Sequence, residues 1–453
     1  MRHINRNPCV WLSLIYAQLR VASLGCLLTI PFVRFIAWHS LAQNFSEKKS
    51  MKLENKILSI VVLSVLSQVA YAIPFTFEGR SLGMGGVATA TADLATAAWA
   101  NPAMLTNQRP DDDFTLLIGI GAFLRDNDDL ITDIDDFQAA DERRQSARNS
   151  GDLVAEGVAL LEMADVINRI EGKDMALDVS GLAAMGIAFD SFAMALSIRA
   201  DAIGAGTVTD LACELNVDPG CDLVQFEQEV TSDTKNILNI EGVLATEFGV
   251  SFAKAFQVAD RKLSVGIKPK LVDLQAVTFS ESIKTVDGLD SLTDQNNKSD
   301  LGTFTTIDLG LAYDVTESFR LGLNVRNLIT DEFDLGGTIL NFDTEARLGL
   351  AYHNRLLTVA VDYDLRENQP LLANPVFDDL KTQYLAVGAE FNVFDFAQLR
   401  VGARKNVASG IPDGAKDTAI TAGIGFWLGF NLDIAATYTE NSVGAFLQTG
   451  FRF

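Results

Sequence analysis

The sequence predicts an all-β fold: a transmembrane antiparallel β-barrel of about 14 strands, with an N-terminal hatch in its lumen and one helical extracellular loop. Three observations predict it. From Asp113 onward apolar and polar residues alternate at period two in about fourteen runs, the pattern of half-buried strands. Short and long connections between these runs also alternate, like the two rims of an outer-membrane barrel. An export signal stands upstream, and the chain ends on an alternating aromatic strand.

The chain opens with two segments outside the barrel. Residues 51–72 read as a secretory signal peptide: Lys52 and Lys56, an apolar core from Ile57 to Leu66, then Ala70-Tyr71-Ala72 as cleavage site. Cleavage after Ala72 makes Ile73 the mature N-terminus. Residues 1–50 hold one apolar stretch, Val21 to Val33, short for a bilayer span. They read as an over-extended N-terminus, with a long leader or anchor as the alternative. Removing residues 1–72 leaves 28 Lys+Arg against 57 Asp+Glu, a net charge of −29 compared with −23 for the whole chain. Such sparse, scattered cations argue against direct nucleic-acid binding.

Residues 73–110 form the expected hatch, centred on Gly79–Leu105, GRSLGMGGVATATADLATAAWANPAML. Gly83, Gly85 and Gly86 permit positive φ and close backbone approach. Small residues follow through Asp93, and Asn101-Pro102-Ala103 ends the segment. Asn before Pro is pushed to an extended or turn conformation, which stops a helix begun in the Ala-rich run. No long period of bulky residues is present, so the segment needs a larger body around it. Asn101-Pro102-Ala103 is expected to hand the chain to the first strand.

Residues 111–453 form the barrel. The expected strands are Asp113–Leu124, Leu177–Phe189, Phe192–Gly206, Leu238–Phe256 and Lys262–Phe279, then Thr303–Val315, Phe319–Leu328, Asp343–Tyr352 and Arg355–Arg366. Thr382–Val393, Phe396–Lys405, Thr418–Leu428, Phe430–Glu440 and Val443–Phe453 complete the set. Asp190-Ser191, Gln257–Arg261, Thr316–Ser318, His353-Asn354, Phe394-Asp395 and Gly429 are tight turns, alternating with long loops; Asn441-Ser442 breaks the trend. One face of the strands stays apolar. The other carries Lys268, Lys270, Asp308, Arg326, Glu345, Arg347, Asp362, Glu390, Arg400, Arg404 and Asp433, which suits an apolar exterior and a wet, ionic lumen. A soluble sandwich with one wet face explains that division less directly. In lipid only a closed sheet leaves no open edge. The terminal strand, with Phe451 and Phe453 outward, resembles the sorting signal that the outer-membrane assembly machinery reads.

The first long loop holds a helical pattern from Leu153 to Ile170, with Leu153, Val154, Val158, Leu160, Leu161, Ala164 and Ile167 on one face and Glu156, Glu162, Asp165 and Arg169 opposite. Packing over the barrel mouth is one reading of that face, and a lid or partner surface is the other. Cys213 and Cys221, a short loop apart in an exported chain, suggest a disulfide. No CxxC supports a redox role. The acidic clusters Asp111–Asp113, Asp126–Asp129 and Asp133–Asp136 lack EF-hand spacing and read as solvated loop charge. His353 is the one histidine after residue 72, and no G-x-S-x-G or H-E-x-x-H accompanies it. No catalytic residue, metal site or cofactor is expected.

The glycines, Thr91-Ala92-Asp93 and Asn101-Pro102-Ala103 together resemble the N-terminal region of the FadL-type outer-membrane transport superfamily. LGLNVRNLITD (Leu321–Asp331), RLGLAYH, VAVDYDL and LAVGAEF are similar to the same group, and the layout looks most like its conjugal-transfer TraF-type proteins. The resemblance covers nearly the whole chain after the signal. It implies a location in the outer membrane of a Gram-negative bacterium, a hatch that plugs a fourteen-stranded barrel, and superfamily members that pass hydrophobic substrates through a gap in the barrel wall. Pro269, inside a strand, could mark a local break in the hydrogen-bond ladder. The functional expectation is a non-enzymatic barrel serving conjugal plasmid transfer or a related envelope process. The alternatives are a FadL-like channel for hydrophobic small molecules and a passive scaffold. Expected partners are outer-membrane lipid and lipopolysaccharide, the assembly machinery, and conjugation-apparatus proteins or a hydrophobic ligand.

Overall fold

Period-two alternation in a closed sheet sends every second side chain outward and the others into the lumen. The computed structural model follows that rule over the residues it describes, 78–108, 113–126, 129–286, 298–335, 338–368, 381–393, 396–409, 418–439 and 442–453. The expected leader and signal peptide, 1–72, lie outside these residues. Strands β1 Phe114–Arg125, β2 Asp174–Ala188, β3 Ala193–Thr209, β4 Ile237–Val258, β5 Arg261–Ser282, β6 Lys298–Asp314 and β7 Phe319–Arg326 form the first half. A separate hairpin, β8 Asp331–Leu335 and β9 Thr338–Phe342, interrupts the series. Strands β10 Glu345–His353, β11 Leu357–Asp364, β12 Tyr384–Val393, β13 Ala397–Asn406, β14 Thr418–Trp427, β15 Asn431–Thr439 and β16 Ser442–Arg452 complete the wall.

Fourteen of these strands close into one antiparallel barrel. Each expected run is a barrel strand. The largest boundary difference is at β6, which begins at Lys298 rather than Thr303, because KSDLG pairs with β5 without alternating. The barrel closes where β1 meets β16, with Leu116 opposite Phe451 and Phe123 opposite Gly444. Phe453 N–H donates to Phe114 O at 2.9 Å. Phe451 and Phe453 are exposed on the outside. Outward Ile118, Ile120, Phe248, Leu350, Val401 and Ile420 are likewise exposed, so the belt of the barrel is apolar and suits lipid.

The strands differ in length. β4 and β5 each have 22 residues, about twice what a tilted membrane strand needs. Their upper halves carry a cap over the lumen at the long-loop rim. The cap contains α-helices over Leu130–Ser150, Leu153–Ile170 and Leu223–Val230. The second coincides with the expected helix; the first and third were not expected. The C-terminal half of the first helix, DERRQSARN, has no apolar stripe, and the buried Leu130, Ile134, Phe137 and Ala140 of its N-terminal half are held by the cap itself. Gln138 Nε2 donates to Ile283 O at 2.8 Å and Val286 O at 3.0 Å. Cys213 and Cys221 are joined by a disulfide, Cα–Cα 6.0 Å. Closing so short a loop contributes about 2–3 kcal/mol on a chain-entropy account.

Two expectations for the cap need correction. Leu153, Val154, Val158 and Leu161 face solvent, at 78%, 78%, 51% and 56% exposure, whereas Leu160, Ala164 and Ile167 are buried. The expected single face is therefore two faces, because Met163, Val166 and Ile170 turn the other side of the helix onto the cap core. The acidic run at Asp133 is not simply solvated loop charge. Asp133 is 5% exposed and accepts from Arg169 Nε at 2.8 Å and Lys173 Nζ at 2.6 Å. Burial pushes its carboxyl up, but the hydrogen bonds and charges of Lys173 and Arg169 outweigh burial and hold it below the ordinary 3.8. A depressed carboxyl contributes stability above its unfolded pKa and loses it as the pH falls through the lowered value. Amide protection of the first two cap helices, compared at matched intrinsic exchange rates, is therefore expected to hold from neutral pH to about pH 4 and to weaken below it.

Candidate functional site

The lumen is filled rather than open. The hatch lies across it as a short helix α1, Gly79–Gly83, a helix α2, Ala97–Ala100, and a 3-10 turn, Pro102–Thr106. Glu78 caps α1, accepting from Ser81 N at 2.7 Å and Arg80 N at 2.8 Å. Asn101 is extended, φ −157 and ψ 108, and ends α2, as Asn before Pro requires. The helix in the Ala-rich run ends at Asn101 as expected, while α1 at Gly79–Gly83 carried no signal of its own in the sequence. Asn101-Pro102-Ala103 does not pass the chain directly to β1. It starts the 3-10 turn, fully buried against the wall.

The polar seat of the hatch is specific. Asp362 Oδ2 accepts from Ala88 N at 2.9 Å, Thr89 N at 2.9 Å and Thr89 Oγ1 at 2.7 Å. Arg80 grips Glu390 bidentately, at 2.8 and 2.9 Å, and donates to Thr91 O at 2.6 Å. Glu390 also accepts from Arg400 at 2.8 Å, and Arg400 pairs with Asp433 at 2.5 Å. Asn101 Nδ2 donates to Thr89 O at 2.8 Å and Leu311 O at 3.1 Å, while its Oδ1 accepts from Ala103 N at 3.1 Å. Asp93 accepts from Thr96 N and Oγ1. Buried charge-assisted bonds of this kind are the strong ones, and removing one partner leaves the other unpaired.

The apolar seat depends on missing side chains. Gly266 on β5, Gly310 on β6, Gly322 on β7, Gly388 on β12 and Gly402 on β13 all face the hatch backbone. A Cβ on Gly388 would lie 2.7 Å from Met84 C, and one on Gly402 2.7 Å from Met84 O. Added to Gly266 it would meet Pro102 O at 2.6 Å, and added to Gly310 it would meet Ala103 N at 2.7 Å. Gly266 pairs with Gly310, Gly322 with Gly349 and Gly388 with Gly402. The glycines thus run round the wall as a girdle. Within the hatch, Gly85 has φ 76, and its missing Cβ would sit 2.7 Å from Ala403 O and Val387 O. A Cβ on Gly86 would meet nothing within 4 Å. Close approach was expected from the hatch glycines; the wall supplies most of it.

The lumen is layered above the hatch. The eleven charged residues expected inside are all buried. Next to the hatch, Lys268 and Lys270 converge on Glu247, and Lys270 reaches Asp308 at 3.0 Å. Arg347 pairs with Asp364 at 2.5 Å. This layer was expected to be wet, but ion pairs close it. One step further along the same strands, Ile203, Val243, Ala245, Val272, Leu274 and Phe304 form an apolar layer with Phe342. The cap lies over that. Pro269 does interrupt the ladder: β4 and β5 pair at Gly249–Lys270 and resume at Phe252–Ile267 in unchanged register. A proline supplies no N–H there.

Comparison with known proteins follows from this geometry. The family described as F plasmid transfer operon, TraF, protein matches residues 98–364. The chain belongs to this TraF family. No curated protein matches the sequence. Among solved structures, the toluene transporter TodX of Pseudomonas putida aligns with TM-score 0.52 and 13% identity, over 84% of this chain and 99% of its own. A FadL homologue of Pseudomonas aeruginosa gives TM-score 0.49 and 11% identity, over 84% and 99%. The Ralstonia pickettii toluene transporter TbuX gives 0.48 and 14%, over 84% and 99%. The TodX match shows a FadL-type barrel fold for this TraF-family chain, in agreement with the fourteen-strand closure.

The structure brings Gly83, Gly85, Asn101, Pro102 and Ala103 against the wall and leaves Asp93 half-buried at the edge of the hatch. The wall glycines and Arg80 were missed as hatch contacts. A signal existed for the glycines: one stands at an inward position between outward apolar residues in strand after strand, as in Leu309-Gly310-Leu311 and Leu321-Gly322-Leu323.

Proposed function

We propose that this TraF-family barrel works in the outer membrane of a Gram-negative bacterium as a hatch-gated, non-enzymatic channel for small apolar molecules. The observation that carries the reading is the apolar layer enclosed between two closures, the cap above and the ion layer with its hatch below. The packed apolar cluster of Ile203, Val243, Val272, Leu274 and Phe304 offers a passing solute contacts that suit a molecule water would reject. The likeness to TodX, a toluene transporter, supports the same class. The exposed aromatic end strand supports delivery by the outer-membrane assembly machinery, with membrane lipid and lipopolysaccharide as surroundings.

The family description favours a second reading, a role in conjugal plasmid transfer alongside conjugation-apparatus proteins in which nothing crosses the lumen. Liposome uptake separates the two. Saturable uptake of toluene or a fatty acid is expected for the wild type, and the Asn101→Ala form is expected to lose saturation. That side chain makes three hydrogen bonds, together worth about 2–4 kcal/mol. Absence of uptake, together with reduced plasmid transfer on gene deletion, would instead establish the second reading. The passive scaffold survives only if both readouts are unaffected.

A further inference from the structure

The cap has a surface that neither the lumen nor the hatch uses. On the helix Leu153–Ile170, Val154, Val158 and Leu161 stand at i, i+4 and i+7, all more than half exposed. Leu153 precedes them at 78% exposure. The opposite face of the same helix is already committed to the cap core through Leu160, Met163, Ile167 and Ile170. This helix is therefore apolar on two sides, with only one of them covered. Exposed valines and leucines at helical spacing, unlike scattered single apolar residues, make a docking stripe.

The surroundings of the stripe select its occupant. Glu162 and Asp165 border it at its C-terminal end with side chains 45% and 74% exposed, Glu162 held by Arg143 at 2.8 Å and Asp165 by Arg169, so a partner's cation would share or replace these surface pairs. Arg148 pairs with Glu156 of this helix at 2.7 Å and with Glu227 of the cap helix Leu223–Val230, so part of the local positive charge is already neutralised. The loop over residues 126–173 carries thirteen acidic and five basic residues, and the loop over 210–236 seven acidic and one basic. Two copies of so acidic a surface repel each other, as do this surface and anionic lipid. A cationic partner is attracted, and its approach is accelerated.

We propose that Val154, Val158 and Leu161, with their acidic border, form a docking face for a basic amphipathic helix of another protein at the long-loop rim. Such a helix lays its apolar side on the stripe and places Lys or Arg beside Glu162 and Asp165. The inference holds whether or not a solute passes the lumen.

The test uses the full-length protein in nanodiscs and three labelled synthetic helices of equal length. One is a Lys/Leu amphipathic helix, the second has the same composition in scrambled order, and the third is a Glu/Leu amphipathic helix. The Lys/Leu helix is expected to bind best and to weaken as salt rises from about 50 to about 500 mM. The V154S/V158S/L161S protein is expected to bind it about tenfold or more weakly, while the band shift on boiling confirms an intact barrel. E162Q/D165N, which keeps the apolar stripe, is expected to bind the Lys/Leu helix more weakly and with a shallower salt dependence. Equal binding by wild type and the triple variant would overturn the proposal. So would equal binding of the scrambled or acidic helix, or a concentration-dependent dimer that the triple variant abolishes, since the occupant would then be a second copy.

Discussion

Gly388→Leu is expected to unseat the hatch while leaving the barrel assembled. Position 388 has no room for a side chain, since a Cβ there would lie 2.7 Å from Met84 C and Cβ. The obstacle includes hatch backbone, which cannot rotate away as a side-chain tip can. Overpacking in a close-packed core costs about 1–3 kcal/mol and sometimes more, and a clash with backbone belongs at the upper end. At about 1.4 kcal/mol per factor of ten, the seated form loses roughly a hundredfold in population against the displaced one. Strand β12 itself loses little, because Gly388 has ordinary strand partners in Ala360 and Gly402. Trypsin cleavage after Arg80 in the otherwise heat-modifiable protein checks this: rapid in the variant, slow in the wild type. Leu385→Ala, on the exterior, is the control and is expected to leave cleavage unchanged.

Asp362→Ala is expected to have a comparable effect by the opposite route, removing a partner instead of adding an obstacle. One carboxylate oxygen satisfies two hatch backbone N–H groups and the Thr89 hydroxyl, all in the buried lumen. Without it, two buried backbone donors are left unsatisfied, each costing about 1–3 kcal/mol. Asp362→Asn is expected to fall between, since its carbonyl still accepts from some of the three donors. Hydrogen exchange at Ala88 and Thr89 reads the loss directly: deep protection in the wild type and fast exchange in Asp362→Ala. The exchange of Ala103 N–H, held instead by Asn101, reports whether the whole hatch leaves or only this end.

These two positions also show what could be read before the structure and what could not. Fourteen strands were legible because alternation has to persist wherever one side meets lipid and the other a polar lumen. The charged inward residues were legible for the same reason, Asp362, Glu390 and Arg400 among them. Their partners were not. Asp362 meets Ala88 and Thr89 across 274 and 273 positions of sequence, and no local pattern encodes such a meeting. The first cap helix was missed because its apolar residues, Leu130, Ile134 and Phe137, are interleaved with acids that the cap satisfies through Arg169 and Lys173. The wall glycines were visible, one per strand in much of the barrel, but their meaning depends on the hatch backbone being placed opposite them. Attention to glycine in the hatch found Gly85 and overlooked the larger set facing it.

The central claim is that Glu78–Thr106, seated on the wall glycines and the lumen ion layer, is the lower closure of this barrel. Planar-bilayer conductance of the purified protein, compared with a form lacking residues 78–106, tests it most directly. Boiling-dependent migration on a gel should first establish that both are folded. The account predicts that the full chain is closed or conducts only in brief events, and that the shortened form, which keeps the cap but has lost the lower closure, opens more often and for longer. Equal conductance of the two forms, open or closed, would contradict it.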